Sequence, residues 1–200
     1  MNPGTRSKGF LNDKRGKIML RPIMISIAIL MLSGCVFTKE KFHPVRYYDI
    51  GNPEAGKSPI CLQVGLFSVI GAYRQDMIYR TEKNELERDQ FNKWALTPDV
   101  LVRRYLKMSF LGESSKESGF AITGNILSFE ADVLKKEVLF TLEYRITPQA
   151  NPDDAVLEKT STFKVMLDDS SPEAFARAMS RAVSDFTESL SSDLKKIPKR

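Results

Sequence analysis

A single histidine serves the whole 200-residue chain, and it stands at position 43, ahead of the segments that read as a folded core. A Ser-His or Cys-His pair inside the domain is therefore excluded, as is histidine-based zinc chemistry. Cysteine is scarce too: Cys35 and Cys61 are the only two, too few for a disulfide framework. Neither a G-x-S-x-G elbow nor a glycine-rich phosphate loop is present. The adjacent acids Asp153-Asp154 and Asp168-Asp169 fall in stretches containing Pro or Ser, where carboxylates serve turns and helix caps rather than acid-base catalysis. The inventory implies no cofactor and no metal site, and an enzyme is not expected. Long apolar runs are missing as well. The longest, Pro22 to Leu32, would reach about 16 Å as a helix, against the roughly 30 Å hydrocarbon core of a bilayer.

What is present around that run has a different meaning. Arg6, Lys8, Lys14, Arg15, Lys17 and Arg21 precede it, and Leu32-Ser33-Gly34-Cys35 closes it, the layout of a secretory leader ending in a lipobox. Small residues at Ser33 and Gly34 let a peptidase reach the bond before an alkylated thiol. Cys35 is thus expected to be the lipidation site and the first mature residue, with residues 1–34 a signal peptide and 35–45 a tether. Acyl chains contribute about 0.8 kcal/mol per buried methylene, so two or three of them hold a protein on a membrane without a transmembrane helix. Val36 stands where an Asp would usually direct retention in the inner membrane. The expected location is the periplasmic face of the outer membrane.

The leader also carries the charge excess. Its six Lys/Arg and one Asp account for the whole formal net charge of +5, leaving 24 basic and 24 acidic residues in the mature chain. A nucleic-acid partner is accordingly not expected. The 166 residues from Cys35 onward suffice for one domain with a substantial core, residues 46–200.

Hydrophobic periodicity outlines that domain. A patch at Tyr47, Tyr48 and Ile50 ends at Gly51-Asn52-Pro53, and Ile60, Leu62, Val64 and Leu66 alternate as the buried face of a strand. Residues 68–95 read as a hairpin or two short strands. Thr97-Pro98-Asp99 opens a helix with Leu101, Val102, Tyr105, Leu106 and Met108 on one stripe. Three antiparallel strands follow: Leu127, Phe129, Ala131 and Val133 face inward on the first, Val138 to Ile146 on the second, and Phe163, Val165 and Leu167 on the third. Thr141, Glu143, Arg145, Thr162 and Lys164 take the other face. Ser171-Pro172-Glu173 starts a second helix, whose stripe runs Phe175, Met179, Ala182, Phe186, Leu190 and Leu194. Alternation on every strand marks a sheet covered on one side. The fold class is α+β, a two-layer sandwich of a mainly antiparallel sheet with two helices packed on one face. Within it, Cys61 reads as a packed strand residue and Trp94 as a core residue. Lys195, Lys196, Lys199 and Arg200 complement the dipole of the last helix.

The lipobox, Tyr47-Tyr48-Asp49-Ile50-Gly51, the strand Ile60 to Phe67, Tyr73 with Met77-Ile78-Tyr79-Arg80, and Lys93-Trp94-Ala95 with Pro98 leading into a Leu/Tyr-rich helix occur in that order. The combination resembles the ABC-type transport auxiliary lipoprotein family, PqiC-like and associated with MCE (mammalian cell entry) proteins, over residues 46–196. The resemblance implies a non-catalytic lipoprotein of the outer membrane that supports envelope integrity. It also implies MCE-domain or ABC-transporter components as partners in lipid transport, and a homo-oligomer. Lys93 departs from the family's usual Arg before the Trp. An LptE-like lipopolysaccharide-assembly lipoprotein shares the anchor and the sandwich, but the Gly-Phe-x-Leu usual after that family's lipidated Cys is missing here. A lipid-anchored envelope hydrolase is the alternative from another class, disfavoured by the lack of a domain histidine.

Overall fold

Residues 120–166 form three long strands paired as their alternation predicts: β6 (Phe120–Asp132) against β7 (Glu137–Pro148), and β7 against β8 (Leu157–Met166), both antiparallel. The computed structural model describes residues 41–53, 58–82, 85–111 and 119–197, and the folded unit begins at His43. The lipobox and Cys35 lie outside the described residues.

Upstream, β1 (Arg46–Tyr48), β2 (Ser58–Val69), β3 (Asp76–Arg80), β4 (Leu86–Trp94) and the two-residue β5 (Phe110–Leu111) complete one mixed sheet. The free side of β6 is shared. Its first half pairs with β2 and its last residues, Ala131 and Asp132, with Tyr79 and Arg80 of β3, all in parallel. β3 and β4 make the expected hairpin, and β1 joins β4 in parallel. The parallel joins require crossovers, and the helix α1 (Pro98–Ser109) lies in the connection that brings β5 back beside β2.

Among the described residues, two helices cover one face. In α1, Leu101, Val102, Tyr105 and Leu106 are buried while Met108 is only half-buried at the rim of the stripe. Thr97 occupies the N-cap position with its carbonyl accepting from the Leu101 amide at 3.0 Å, but its side chain makes no cap bond, unlike the expectation for a Thr cap. At α2 (Pro172–Lys196) the cap is complete, since Ser171 Oγ accepts from the Ala174 amide at 3.1 Å. All six stripe residues from Phe175 to Leu194 are buried. Their rings continue a chain of edge-on contacts through the core: Trp94 with Phe129 and Phe175, Phe140 with Phe129 and Phe186, and Phe186 with Tyr144, at centroid distances of 5.1 to 6.0 Å. Burying each such ring is worth about 1.5–3 kcal/mol, which makes this chain the principal adhesive between helices and sheet.

Two bulges overturn the simple alternation. In β2, Gly65 and Leu66 together oppose Thr123, between the pairs Val64–Ile122 and Phe67–Gly124. The extra residue inverts the strand's phase, so Leu66 is 71% exposed and Phe67 5% exposed, the reverse of the sequence expectation. In β6, Leu127 is the extra residue between the pairs Ile126–Leu142 and Ser128–Thr141. Ile126 is the buried neighbour instead, and Val133 is exposed where an inward position was expected. Gly124 tolerates no side chain at the first bulge, because an added Cβ would lie 2.6 Å from the Glu143 carbonyl oxygen and 3.0 Å from Phe67 Cε1.

Candidate functional site

The face of β6, β7 and β8 turned away from the helices carries a ladder of polar side chains. On β7, Val138, Phe140, Leu142, Tyr144 and Ile146 are buried, so the intervening Thr141, Glu143 and Arg145 point to the uncovered side. Cross-strand pairing aligns each with a partner on β8: Thr141 with Thr162, Glu143 with Thr160, Arg145 with Glu158. The two threonine hydroxyls are 3.1 Å apart, Arg145 Nε is 3.2 Å from Glu158 Oε1, and Arg145 Nη2 donates to the Asp153 carbonyl at 2.7 Å. On the β6 side, Asn125 Nδ2 donates to Glu143 Oε1 at 2.7 Å. Lys164 extends the ladder with Glu137 at 3.1 Å.

A cleft of about 590 Å³ opens on this face, walled by Leu66 and Ser68 of β2 and floored by Thr123, Asn125, Glu143 and Arg145. Leu66 is in the cleft because of the β2 bulge. Here Arg145 pairs with Glu158 and Glu143 is held by the Asn125 amide, an arrangement that suits recognition by a surface of matching polarity. Among the described residues, no three His, Cys, Asp or Glu side chains converge as a metal-binding set. No helix among them is long and apolar enough to cross a membrane.

The edge of the sheet at β8 is the other surface of interest. Among the described residues β8 pairs only with β7, so its outer edge carries no further strand of them. Lys159 and Lys164 stand on it, the type of residue that discourages indiscriminate strand addition. Lys159 is drawn back by Asp193 of α2, 2.9 Å away, which also accepts from Tyr144 at 3.1 Å. Burial pushes the Asp193 carboxyl up, and the bonds from Lys159 and Tyr144 outweigh it, holding the group below the usual carboxylate range.

The remaining residues singled out in the sequence have structural places. Trp94 is fully buried between Phe129 and Phe175 and offers no ligand platform. Cys61 is part-buried in β2, in register with Leu111. Lys196 reaches Asp193 at 3.6 Å in the last helical turn; Lys199 and Arg200 lie outside the described residues.

Sequence reasoning missed Glu130. It lies on the uncovered side of β6, opposite Leu139, yet it is 0% exposed. Arg80 Nε donates to its Oε1 at 2.6 Å, and the Tyr73 hydroxyl donates to its Oε2. The segment carrying Tyr73 therefore closes over this end of the face. Burial and then the bond to Glu130 push the Tyr73 phenol up to about 12. A carboxylate placed between Phe129 and Ala131, downstream of a Tyr and an Arg, was the available signal; the parallel β3–β6 pairing that unites them was not visible.

Tyr73 and Arg80, both among the residues that carried the family resemblance, thus converge on one buried carboxylate, while Tyr79 and Trp94 pack on Phe175. The motif is architectural. Residues 69–191 match the family of the ABC-type transport auxiliary lipoprotein component. The chain belongs to that family. Its general role is accordingly that of an auxiliary lipoprotein in ABC-type transport. Among solved structures it is similar to an uncharacterised protein, with 11% identity, a TM-score of 0.63, and coverage of 76% of this chain and 99% of that one. It is also similar to a Xanthomonas campestris protein of the DUF330 family, with 15% identity, a TM-score of 0.58, and coverage of 76% and 98%. At these identities the likeness concerns the fold. No curated protein matches the chain.

Proposed function

We propose that this protein is anchored through Cys35 to the periplasmic face of the outer membrane. There it acts without turnover chemistry as a docking component of a lipid-transport system containing an MCE-type protein, supporting envelope integrity. The observation that carries the proposal is the uncovered polar ladder Thr141–Glu143–Arg145 with its β8 partners, on a chain of the transport-auxiliary family. A one-sided sheet whose open face bears paired charges and a cleft offers register to a partner. Its isolated apolar side chain, Leu66, offers an anchor at the cleft wall. A symmetric assembly of copies is the natural way for such a small domain to surround or cap a larger partner.

The anchor is tested by Cys35→Ser. Unprocessed precursor, no acyl label and loss from the outer-membrane fraction are expected; normal processing and labelling would remove the anchor from the proposal. The transport role is tested by deletion, which is expected to alter envelope lipid balance and detergent tolerance.

A further inference from the structure

The opposite end of the sheet presents an aromatic surface used by neither the core nor the docking face. Asp76 and Ile78 of β3 pair with Lys93 and Arg88 of β4, so one residue on β3 faces four on β4, and residues 89–92 form a bulge. Asp89 fixes this bulge: its carboxylate accepts from the Phe91 and Asn92 amides, each at 2.8 Å, and from Asn92 Nδ2 at 2.9 Å. The geometry holds Phe91 41% exposed, with its ring 5.1 Å from that of His43.

β1 runs beside the bulge, with Arg46 opposite Asn92 and Tyr47 opposite Lys93. Arg46 and Tyr48 both turn to Glu173 of α2, and the Tyr48 hydroxyl also meets Asn92. Alternation therefore sends Val45 and Tyr47 to the other side, with Phe91. Val45 and Tyr47 are exposed there. Local charges balance: Arg88 and Lys93 share Asp76, Arg46 pairs with Glu173, and Asp89 of the bulge is the third acid beside these three cations. What distinguishes the surface is apolar and aromatic area, the composition suited to the zone between headgroups and acyl chains.

Its place in the chain selects the occupant. Cys35 is eight residues before His43, a stretch that reaches at most about 27 Å. We propose that His43, Val45, Tyr47 and Phe91 form a seat that rests in the interfacial zone of the bilayer holding the lipid anchor, and so orients the domain on the membrane. The seat rests on the reading of Cys35 as lipidated. A lipid on a short tether fixes distance alone; the seat fixes that the β1–β4 edge meets the membrane, with β8 and the polar ladder toward the far edge of the same sheet.

The test uses the mature lipidated protein in vesicles of phosphatidylethanolamine and phosphatidylglycerol, with and without brominated acyl chains. Phe91→Trp reports on the seat, and the buried Trp94 of the unaltered protein gives the background. Thr162→Trp on β8 is the comparison, five strand steps from β1, roughly 24 Å at about 4.8 Å per step. Brominated lipid is expected to remove the added fluorescence of Phe91→Trp and to leave that of Thr162→Trp. Vesicle-bound protein with no quenching at Phe91→Trp, or with equal quenching at both positions, overturns the seat while leaving the anchor standing. Protection of Phe91→Trp from aqueous iodide without quenching by brominated lipid assigns the surface to a protein partner and also overturns it. Protein that carries no acyl label and does not float with vesicles overturns the anchor, and the seat with it.

Discussion

Arg80 Nε lies 2.6 Å from Glu130 Oε1, joining β3 to β6 through a carboxylate with no solvent exposure. Breaking a buried pair by removing one partner costs about 3–5 kcal/mol, because the other charge is left without compensation. Arg80→Ala is expected to lose stability of that order in urea unfolding, and Arg80→Met with Glu130→Leu to recover most of it. Equal loss in the single and double variants would show that the pair contributes packing volume rather than charge compensation.

Tyr73→Phe tests the third member. The phenol donates to Glu130, and removing it leaves one carboxylate oxygen short of a donor at a cost of about 1–3 kcal/mol. Faster amide exchange in residues 70–75, with β7 unchanged, is the expected signature.

The β2 bulge makes adjacent residues behave oppositely. Phe67→Ala is expected to cost about 3–5 kcal/mol, whereas Leu66→Ser should stay within about 0.5 kcal/mol. Gly124→Ala, which forces a Cβ against the Glu143 carbonyl, should cost about 1–3 kcal/mol through overpacking. Similar melting temperatures for the Phe67 and Leu66 variants would refute the bulge.

Those residues also show where the sequence is informative. Helix stripes were legible because each turn repeats the same demand, and all six α2 positions are buried. The strands of residues 120–166 were legible for the same reason, and Leu142→Asp should unfold the domain while Glu143→Ala should not. A bulge adds one residue, so the phases on its two sides disagree, and periodicity alone assigned Leu66 and Leu127 to the wrong side. Pairing partners are non-local. Tyr73, Arg80 and Glu130 were each visible, and the site they make was not. The docking face was legible at Thr141, Glu143, Arg145, Thr162 and Lys164, but the cleft beside it depends on the Leu66 bulge.

Acid sensitivity has a definite sign at Asp132. The Lys135 amide donates to its Oδ1 at 3.0 Å, and this backbone bond, ahead of the opposing effect of burial, holds the carboxyl below its ordinary value of 3.8. A depressed carboxyl stabilises the fold above its unfolded value and loses that contribution as pH falls through its folded value. Asp132→Asn should therefore be less stable than the parent protein at pH 7, and the gap should close below about pH 4. A gap that persists at pH 2 would assign the effect to something other than the charge.

The central claim is that the uncovered ladder docks a transport partner, and site-specific photocrosslinking at Arg145 in the native envelope tests it most directly. Crosslinkers at Thr141 and Lys164 extend the scan along the ladder. The account predicts covalent capture of an MCE-type protein or of a neighbouring copy from this face. Capture of neither, with the purified protein monomeric and its deletion leaving envelope lipids and detergent tolerance unchanged, would contradict it.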